Sequence, residues 1–234
     1  MEIAEGIHRI PRVVGANTYL IKRHDGITVV DTGLPGNAGR ILQYVERIGS
    51  TPGDVKTIIL THADMDHSGS ATRLKEETNA KVAIHEADAP RLSGEEESKT
   101  VKGMLRLFFH VLNAVARFNL LTADVPLKDS DIIDGLTVIH TPGHTDGSIC
   151  LYLPSRALFV GDTLLTNDEQ ELSLPRKSMS IDMDLVAKSI RKISRLEYSL
   201  LLPGHGPPIK KKASTITKEF AAQFRVPDTR RLRT

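Results

Sequence analysis

The chain has 234 residues, of which 40% are hydrophobic and 26% charged, a composition typical of a folded globular protein rather than a disordered one. No run approaches the roughly 18 apolar residues that a membrane-spanning helix needs. The N-terminal sequence MEIAEGIHRIPRVV lacks the basic start and apolar run of a signal peptide. These features predict a cytoplasmic protein with no membrane partner.

The single cysteine and the charge distribution limit the kinds of covalent link, metal site and binding surface that the chain can form. Cys150 has no second cysteine to pair with, which excludes an internal disulfide and a thiolate-rich zinc site. It lies in the apolar run SICLYL, which favours an inert buried thiol over a reactive one. The net charge is +2, yet the segment near 210–234 is strongly basic. We interpret this C-terminal tail as solvated; a nucleic-acid contact is the alternative, disfavoured because no aromatic residues interleave the charges.

The first part of the chain alternates between strand and helix patterns. Short strands are predicted in GIHRIPRVV, NTYLIKR and ITVVDTG, with a DG turn at Asp25 between the last two. A helix is predicted over about 38–48, where apolar residues recur at helical spacing before Gly49. The apolar run VKTIIL predicts a strand buried on both faces, and a helix to about residue 78 precedes the strand KVAIHE.

A helical insertion near 90–125 interrupts this alternation. Within it, residues 99–121 show a long helical pattern whose apolar face is wider than one core contact requires. If this wide apolar face has a function, the segment is either a lid over a substrate pocket or a homodimer contact. Ordinary core packing is the alternative. His110 would be a substrate contact if the segment is a lid.

The last part of the chain returns to short strands, in LTVIHTPG, SICLYLP, RALFVGD and SLLLPGHG. Amphipathic helices are predicted over about 183–196 and 214–224. Because no change in composition marks a linker and no fixed-period repeat is present, we predict one α/β domain over residues 1–234.

Potential metal ligands follow four of the predicted strands. Three of these strands end in glycine followed at once by His144, Asp162 or His205, and glycine permits the backbone angles that turn the next side chain over the strand ends. Loops beyond strand ends are where α/β proteins build their sites. The segment THADMDHSG, directly after the run TIIL, adds four further candidates: His62, Asp64, Asp66 and His67.

Such crowding requires a physical explanation. Three carboxylates, Asp64, Asp66 and Asp162, would repel one another and raise their pKa values if they met without compensating charge. Two divalent cations remove this conflict, and imidazole with carboxylate is a ligand set that suits zinc, iron or manganese. The alternative is a chance polar turn in which Asp66 caps a helix. The repeated arrangement of strand, glycine and ligand argues against that alternative. The other histidines, His8, His24, His85, His110 and His140, show no comparable pattern.

Five segments, taken together and in order, resemble the metallo-β-lactamase fold superfamily: VVDTG at 29–33, THADMDHSG at 61–69, TPGHTDGS at 141–148, FVGDTLL at 159–165 and LLPGHG at 201–206. The resemblance implies a four-layer αββα sandwich with a metal site along one edge. It implies two divalent ions, the first held by His62, Asp64 and His144, the second by Asp66, His67 and His205, with Asp162 bridging them. It also implies that Asp31 orients a ligand histidine; a turn aspartate bonded to its own backbone is the alternative.

Residue 64 departs from the pattern of the commonest hydrolytic members, which read HxHxDH where this chain has HxDxDH. A carboxylate can still coordinate, and the flavodiiron branch of the superfamily carries an acidic residue here. An extra oxygen ligand makes the cluster less positive and favours harder ions. We expect two divalent ions. Zinc is the first expectation for the mixed imidazole and carboxylate set, and the carboxylate at residue 64 keeps iron or manganese as alternatives.

The leading hypothesis is a metal-dependent hydrolase. A metal-bridging water or hydroxide would attack a small acyl substrate, such as a lactone, thioester, ester or β-lactam, and Asp66 would orient it or accept the proton. A nucleic-acid substrate is disfavoured because the chain lacks the extra domain of the long nuclease members. Two alternatives remain: a di-iron oxidoreductase that reduces oxygen or nitric oxide with an external electron donor, and a non-catalytic metal-binding protein.

Overall fold

The computed structural model describes residues 1–96 and 120–224. The strands in these ranges are β1 Glu2–Ala4, β2 Ile7–Arg9, β3 Tyr19–Arg23, β4 Gly26–Val30, β5 Val55–Ile59, β6 Lys81–His85, β7 Val125–Leu127, β8 Ile132–Ile133, β9 Leu136–His140, β10 Ile149–Leu153, β11 Ala157–Gly161, β12 Leu165–Thr166, β13 Leu172–Ser173 and β14 Leu200–Pro203. The α-helices are α1 Ala38–Arg47, α2 Met65–Ser68, α3 Ala71–Thr78, α4 Ala89–Ser93, α5 Met183–Ile193 and α6 Ala213–Ala221. Single 3₁₀ turns occur at Pro52–Asp54 and Lys177–Met179.

The strands form two large sheets. The first sheet has seven strands in the order β1-β2-β3-β4-β5-β6-β7, and β4 to β7 run parallel to one another. The second has five strands in the order β14-β11-β10-β9-β8, with a parallel β11–β14 pair beside antiparallel neighbours. Because parallel strands end together, the loops after β5 and β6 lie at one edge of the first sheet, and those after β11 and β14 at one edge of the second.

Three apolar clusters divide the molecule into layers. The inner faces of the two sheets pack together, for example through an edge-to-face contact of Tyr19 with Phe159 at a centroid distance of 5.5 Å. Helices α1 and α3 cover the outer face of the first sheet. Helices α5 and α6 cover that of the second, where Val186 and Ile190 are buried. This arrangement confirms the predicted αββα sandwich and explains the apolar runs of β4 and β5, which are covered on both faces.

The long elements follow the sequence prediction closely. Helix α5 ends at Ile193 rather than near 196, and α6 occupies Ala213–Ala221 rather than 214–224. The short strands β1, β7, β8, β12 and β13 and the short helix α4 were not predicted, because two to five residues carry too little periodicity.

Two predictions fall mainly on residues 97–119 and 225–234, which lie outside the described ranges: the long helix with its lid or homodimer role, and most of the basic tail. Within the described residues, no helix is long and apolar enough to span a membrane. Cys150 is buried as predicted, and burial raises the pKa of its thiol to about 11.

Candidate metal centre

The candidate centre lies where the ends of the two sheets meet. The backbone N–H of Ile149 donates to the carbonyl oxygen of Thr61 at 2.9 Å, joining the loop after β5 to the second sheet. The N–H of Gly204 donates to the carbonyl oxygen of Gly161 at 2.8 Å, which aligns the ends of β14 and β11. The loops that follow these strands are thereby held against one another.

The first group of candidate ligands contains His62, Asp64 and His144. The Oδ2 atom of Asp64 lies 3.1 Å from Nε2 of His144 and 3.5 Å from Nε2 of His62. Asp64 immediately precedes α2, yet its side chain makes no capping hydrogen bond to that helix. The carboxylate is therefore directed at the two imidazoles rather than at the helix N-terminus.

The second group contains Asp66, His67 and His205. Oδ2 of Asp66 lies 3.1 Å from Nε2 of His205, and the Nε2 atoms of His67 and His205 are 3.4 Å apart. His67 is fully buried in the first turn of α2, whereas Asp66 and His205 are about one-third exposed. The second group is thus the more open of the two.

Asp162 stands between the two groups. One of its oxygens, Oδ1, lies 3.2 Å from Nε2 of His67; the other, Oδ2, lies 3.5 Å from Nε2 of His144 and 3.6 Å from Nε2 of His205. In the described part of the chain, Oδ1 of Asp162 and Nε2 of His62 are buried without a well-aligned hydrogen-bond partner. Buried polar atoms left in this state are costly unless a further group, such as a cation, satisfies them.

The expected rise in carboxylate pKa values is wrong for Asp66 and Asp162. Burial would raise the pKa of Asp162, but the charge of the adjacent His67 imidazolium lowers it well below its ordinary value. Correspondingly, burial would lower the pKa of His67, but Asp162 and Asp31 raise it. In the metal-free chain, protonation of His67 and His205, whose pKa values are raised, supplies positive charge beside Asp162 and Asp66.

Asp31 makes the contact predicted for it. The residue is buried at the end of β4, and its Oδ2 accepts a hydrogen bond from Nδ1 of His67 at 2.8 Å. Its oxygens also accept the backbone N–H and the hydroxyl of Thr61, at 2.8 and 2.9 Å. With Nδ1 committed to Asp31, the Nε2 atom of His67 faces the centre as a potential ligand.

Two residues near the centre were missed in the sequence. The side-chain amide of Asn17 donates to the carbonyl oxygens of Pro203 and Gly206, which supports the loop carrying His205. Asp88 contacts the loops on both sides of the first group. Asp88 lies in the loop after β6, a parallel neighbour of β5. Because α/β proteins build their sites in the loops beyond strand ends, its position in the sequence could have identified it.

All seven predicted ligands come together in three overlapping groups, each with its ligand atoms within 4.8 Å of one another: His62, His67 and Asp162; His62, Asp64 and His144; and Asp66, His67 and His205. The other described histidines lie apart from these groups. His85 and His140 stack at 4.0 Å, and His8 contacts Tyr44. His110 lies outside the described residues.

Comparison with known proteins shows the family of the chain. The sequence profile described as the metallo-beta-lactamase superfamily matches residues 11–205. The probable metallo-hydrolase YflN of Bacillus subtilis is 30% identical over 235 residues, covering 90% of this chain and 88% of that protein. The acyl-coenzyme A thioesterase MBLAC2 of Bos taurus is 27% identical over 211 residues, covering 81% of this chain and 72% of that protein.

A solved structure agrees at the level of the fold. The metallo-beta-lactamase family protein TTHA1429 of Thermus thermophilus superimposes with a TM-score of 0.71 at 23% identity, covering 95% of this chain and 80% of that one. The sequence profile spans most of the chain, and the fold and the histidine and aspartate clusters agree with it. The chain therefore belongs to the metallo-β-lactamase superfamily.

Proposed function

We propose that the chain is a hydrolase that binds two divalent cations and cleaves a small acyl substrate. The observation that carries the proposal is the convergence of seven imidazole and carboxylate side chains from four loops, in groups whose ligand atoms lie within 4.8 Å of one another. Membership of the metallo-β-lactamase superfamily, with relatives named as metallo-hydrolases, supports the hydrolase class.

The donor set fits two cations. Three carboxylates and four imidazoles crowd one site. Among the described residues, Nε2 of His62 is buried without a well-aligned hydrogen-bond partner, and Oδ1 of Asp162 has only the poorly aligned imidazole of His67 at 3.2 Å. In the proposal His62, Asp64 and His144 would hold the first ion, Asp66, His67 and His205 would hold the second, and Asp162 would be shared between them. Zinc is favoured by the mixed nitrogen and oxygen donors, with iron and manganese as alternatives.

Bound ions of this kind polarise an acyl carbonyl and make a nucleophile available from water at neutral pH. Among the chain's own residues, Asp66 is suited to handle the proton. It is partly exposed, and although burial would raise its pKa, the hydrogen bond with His205 lowers the pKa below its ordinary value. Asp66 is therefore a carboxylate at neutral pH, the form that can accept a proton.

A thioester is the first substrate class to test, because the bovine relative MBLAC2 is named as an acyl-coenzyme A thioesterase. Protein purified without added metal would be assayed for metal content and for turnover of thioesters, lactones, esters and a β-lactam. We expect about two ions per chain, turnover of at least one acyl class, loss of turnover with a chelator and its recovery on metal return. A full metal complement with no turnover of any acyl class would contradict the proposal and favour a non-catalytic metal-binding protein.

A second candidate, a di-iron oxidoreductase with an external electron donor, is favoured by one observation. The Asp64 carboxylate faces His62 and His144, and a third carboxylate favours harder ions than zinc. Two irons per chain, with reductant-dependent consumption of oxygen or nitric oxide and no acyl turnover, would support this candidate instead.

Replacing Asp64 tests the assignment of the first ion. We expect Asp64→Ala to lose one metal ion per chain, because it removes one of three ligands of the first group. Asp64→His should keep both ions and shift preference toward zinc, since it replaces an oxygen donor by a nitrogen donor. Metal content after dialysis measures both effects.

Asp25→Ala is a matched control, since Asp25 is an exposed aspartate in the turn between β3 and β4 that pairs with Arg23. It should retain the metal content of the wild type. Full metal content in Asp64→Ala would show that this carboxylate is not a ligand.

A further inference from the structure

Asp88 is a buried aspartate that the proposed metal centre does not use. It immediately precedes α4, but its side chain does not cap that helix, and the residue has no exposed surface. Instead, Oδ2 accepts the backbone N–H of Ala63 at 2.9 Å, and Oδ1 accepts the backbone N–H of Gly147 at 2.8 Å. One carboxylate thus joins two loops that are far apart in the sequence.

These two loops carry His62, Asp64 and His144, the three proposed ligands of the first ion other than the shared Asp162. Ala63 lies between His62 and Asp64, and Gly147 lies three residues after His144. The contact is close, since a β-carbon added to Gly147 would lie 2.6 Å from the β-carbon of Asp88. The spacing between the loops is therefore set at Asp88.

A guanidinium completes the arrangement. The Nη1 atom of Arg91, on α4, lies 3.6 Å from Oδ1 of Asp88 and offsets its buried charge. Nη2 of the same side chain donates to Oδ2 of Asp146 at 2.7 Å, beside Gly147. Asp88, through Gly147, and Arg91, through Asp146, thus both hold the loop that follows His144.

We propose that Asp88 is a positioning residue for the first metal ion, acting by fixing the distance between the loop of His62 and Asp64 and the loop of His144. This inference rests on the proposed two-metal function. Hydrogen bonds from backbone N–H groups to a carboxylate are strong and directional, and a ligand set held in place before binding holds its metal more tightly. The second ion has separate support, from Asp31 behind His67 and from Asn17 behind the His205 loop. Loss of Asp88 should therefore affect one ion and spare the other.

The test is titration of metal-stripped protein with Co²⁺, followed by visible spectroscopy and calorimetry. We expect the wild type to bind two ions. Asp88→Ala should keep one tight ion and bind the other about 10- to 100-fold more weakly, the usual effect of removing a group that orients ligands. Asp88→Asn should fall between them, because its amide offers one acceptor to two N–H groups. Anomalous diffraction from the singly loaded variant should locate the retained ion beside His67 and His205.

Asp124→Asn is the matched control. Oδ2 of Asp124 also accepts a backbone N–H, that of Val82 at 2.8 Å, and its carboxylate pairs with Lys75 rather than with a loop that carries a proposed ligand. This variant should bind both ions as the wild type does.

The outcomes separate the positioning role from the function on which it rests. Wild-type binding of fewer than two ions would overturn the proposed two-metal centre, and the role of Asp88 with it. Two ions in the wild type with unchanged affinities in Asp88→Ala would overturn the positioning role alone, as would loss of the ion beside His205. If Asp88→Ala does not fold, the nearly isosteric Asp88→Asn carries the test, and wild-type affinity in that variant would overturn the role equally.

Discussion

Replacing Gly204 with alanine is expected to abolish metal binding and to reduce any hydrolytic rate by about 100-fold or more, since displacement of reacting groups by about 1 Å has effects of that size. A β-carbon at residue 204 would lie 2.6 Å from Cε1 of His67 and would overlap Oδ1 of Asp162. His67 is fully buried and its Nδ1 is hydrogen-bonded to Asp31 at 2.8 Å, which restrains its position. The added methyl group would therefore displace Asp162, the carboxylate proposed to contact both ions. Metal content and kcat/KM of the purified variant measure the effect.

Gly39→Ala is the control for the general effect of adding a methyl group. Gly39 lies in α1, and a β-carbon there meets no other atom within 4 Å. Alanine is more stable than glycine by roughly 0.5–1 kcal/mol in a helix interior and by less in the first turn, where Gly39 lies, so this variant should keep its metal and unfold at the same or a slightly higher temperature. Wild-type metal content in Gly204→Ala would show that Asp162 and His67 do not hold the ions in the arrangement described.

Removing the metal is expected to reverse the pH dependence of stability between pH 6.5 and 8. In the metal-free chain the pKa of His67 is raised well above 6.5 by Asp162 and Asp31, against the opposing effect of burial. The pKa of His205 is also raised, by its hydrogen bond to Asp66. A histidine whose pKa is raised by folding stabilises the fold fully below 6.5, and the stabilisation is lost as the pH rises through the folded-state pKa. The metal-free chain should therefore weaken as the pH rises.

The carboxylates set the acid limit of the pH range in which the metal-free chain is most stable. The pKa values of Asp66 and Asp162 are lowered from 3.8, so their stabilisation is present above that pH and is lost as the pH falls through the folded-state values. The metal-free chain should thus be most stable between about pH 4 and 6.5. Metal binding requires neutral imidazoles and releases their protons, so the metal-bound chain should gain stability over the interval in which the metal-free chain loses it.

Thermal unfolding with and without a chelator, from pH 5.5 to 8.5, measures this reversal. Each pH unit over which His67 stays protonated only in the folded chain costs about 1.4 kcal/mol, or roughly 3–5 °C in Tm for a chain of this size. His24→Gln, a change at an exposed histidine, should leave both profiles unchanged. A chelated protein whose Tm rises from pH 6.5 to 8 would rule out the charge pairing between His67 and its two aspartates.

The residues that meet at the candidate centre could be predicted from the sequence because their signals are local. His144, Asp162 and His205 each follow an apolar strand and a glycine, and His62 begins a dense polar segment after another strand. The resemblance to one superfamily then ordered these segments into an αββα sandwich. Residues whose roles depend on pairing between distant segments were not found: Asn17 acts on a loop that begins at residue 203, and Asp88 joins Ala63 to Gly147.

The charge balance of the centre could not be predicted from the sequence either. Crowded carboxylates were expected to raise one another's pKa values. In the structure Asp162 lies 3.2 Å from His67, and Asp66 lies 3.1 Å from His205, so the nearest charged neighbour of each carboxylate is an imidazole. Which charges become neighbours is decided by side-chain geometry across the two sheets, and a linear pattern of residue types does not contain that information.

The origin of the ligands in two different sheets has a consequence for folding. Each proposed ion would be held by residues that follow β5 of the first sheet and by residues that follow strands of the second, namely Asp162 together with His144 or His205. Neither sheet alone can complete either ion's coordination, so tight metal uptake has to wait until the sheets have docked. Once bound, the ions would oppose separation of the sandwich at this edge, and chelation should speed hydrogen exchange in β5 and β11 together. The metal centre would then stabilise the packing of the two sheets against each other, in addition to any role in catalysis.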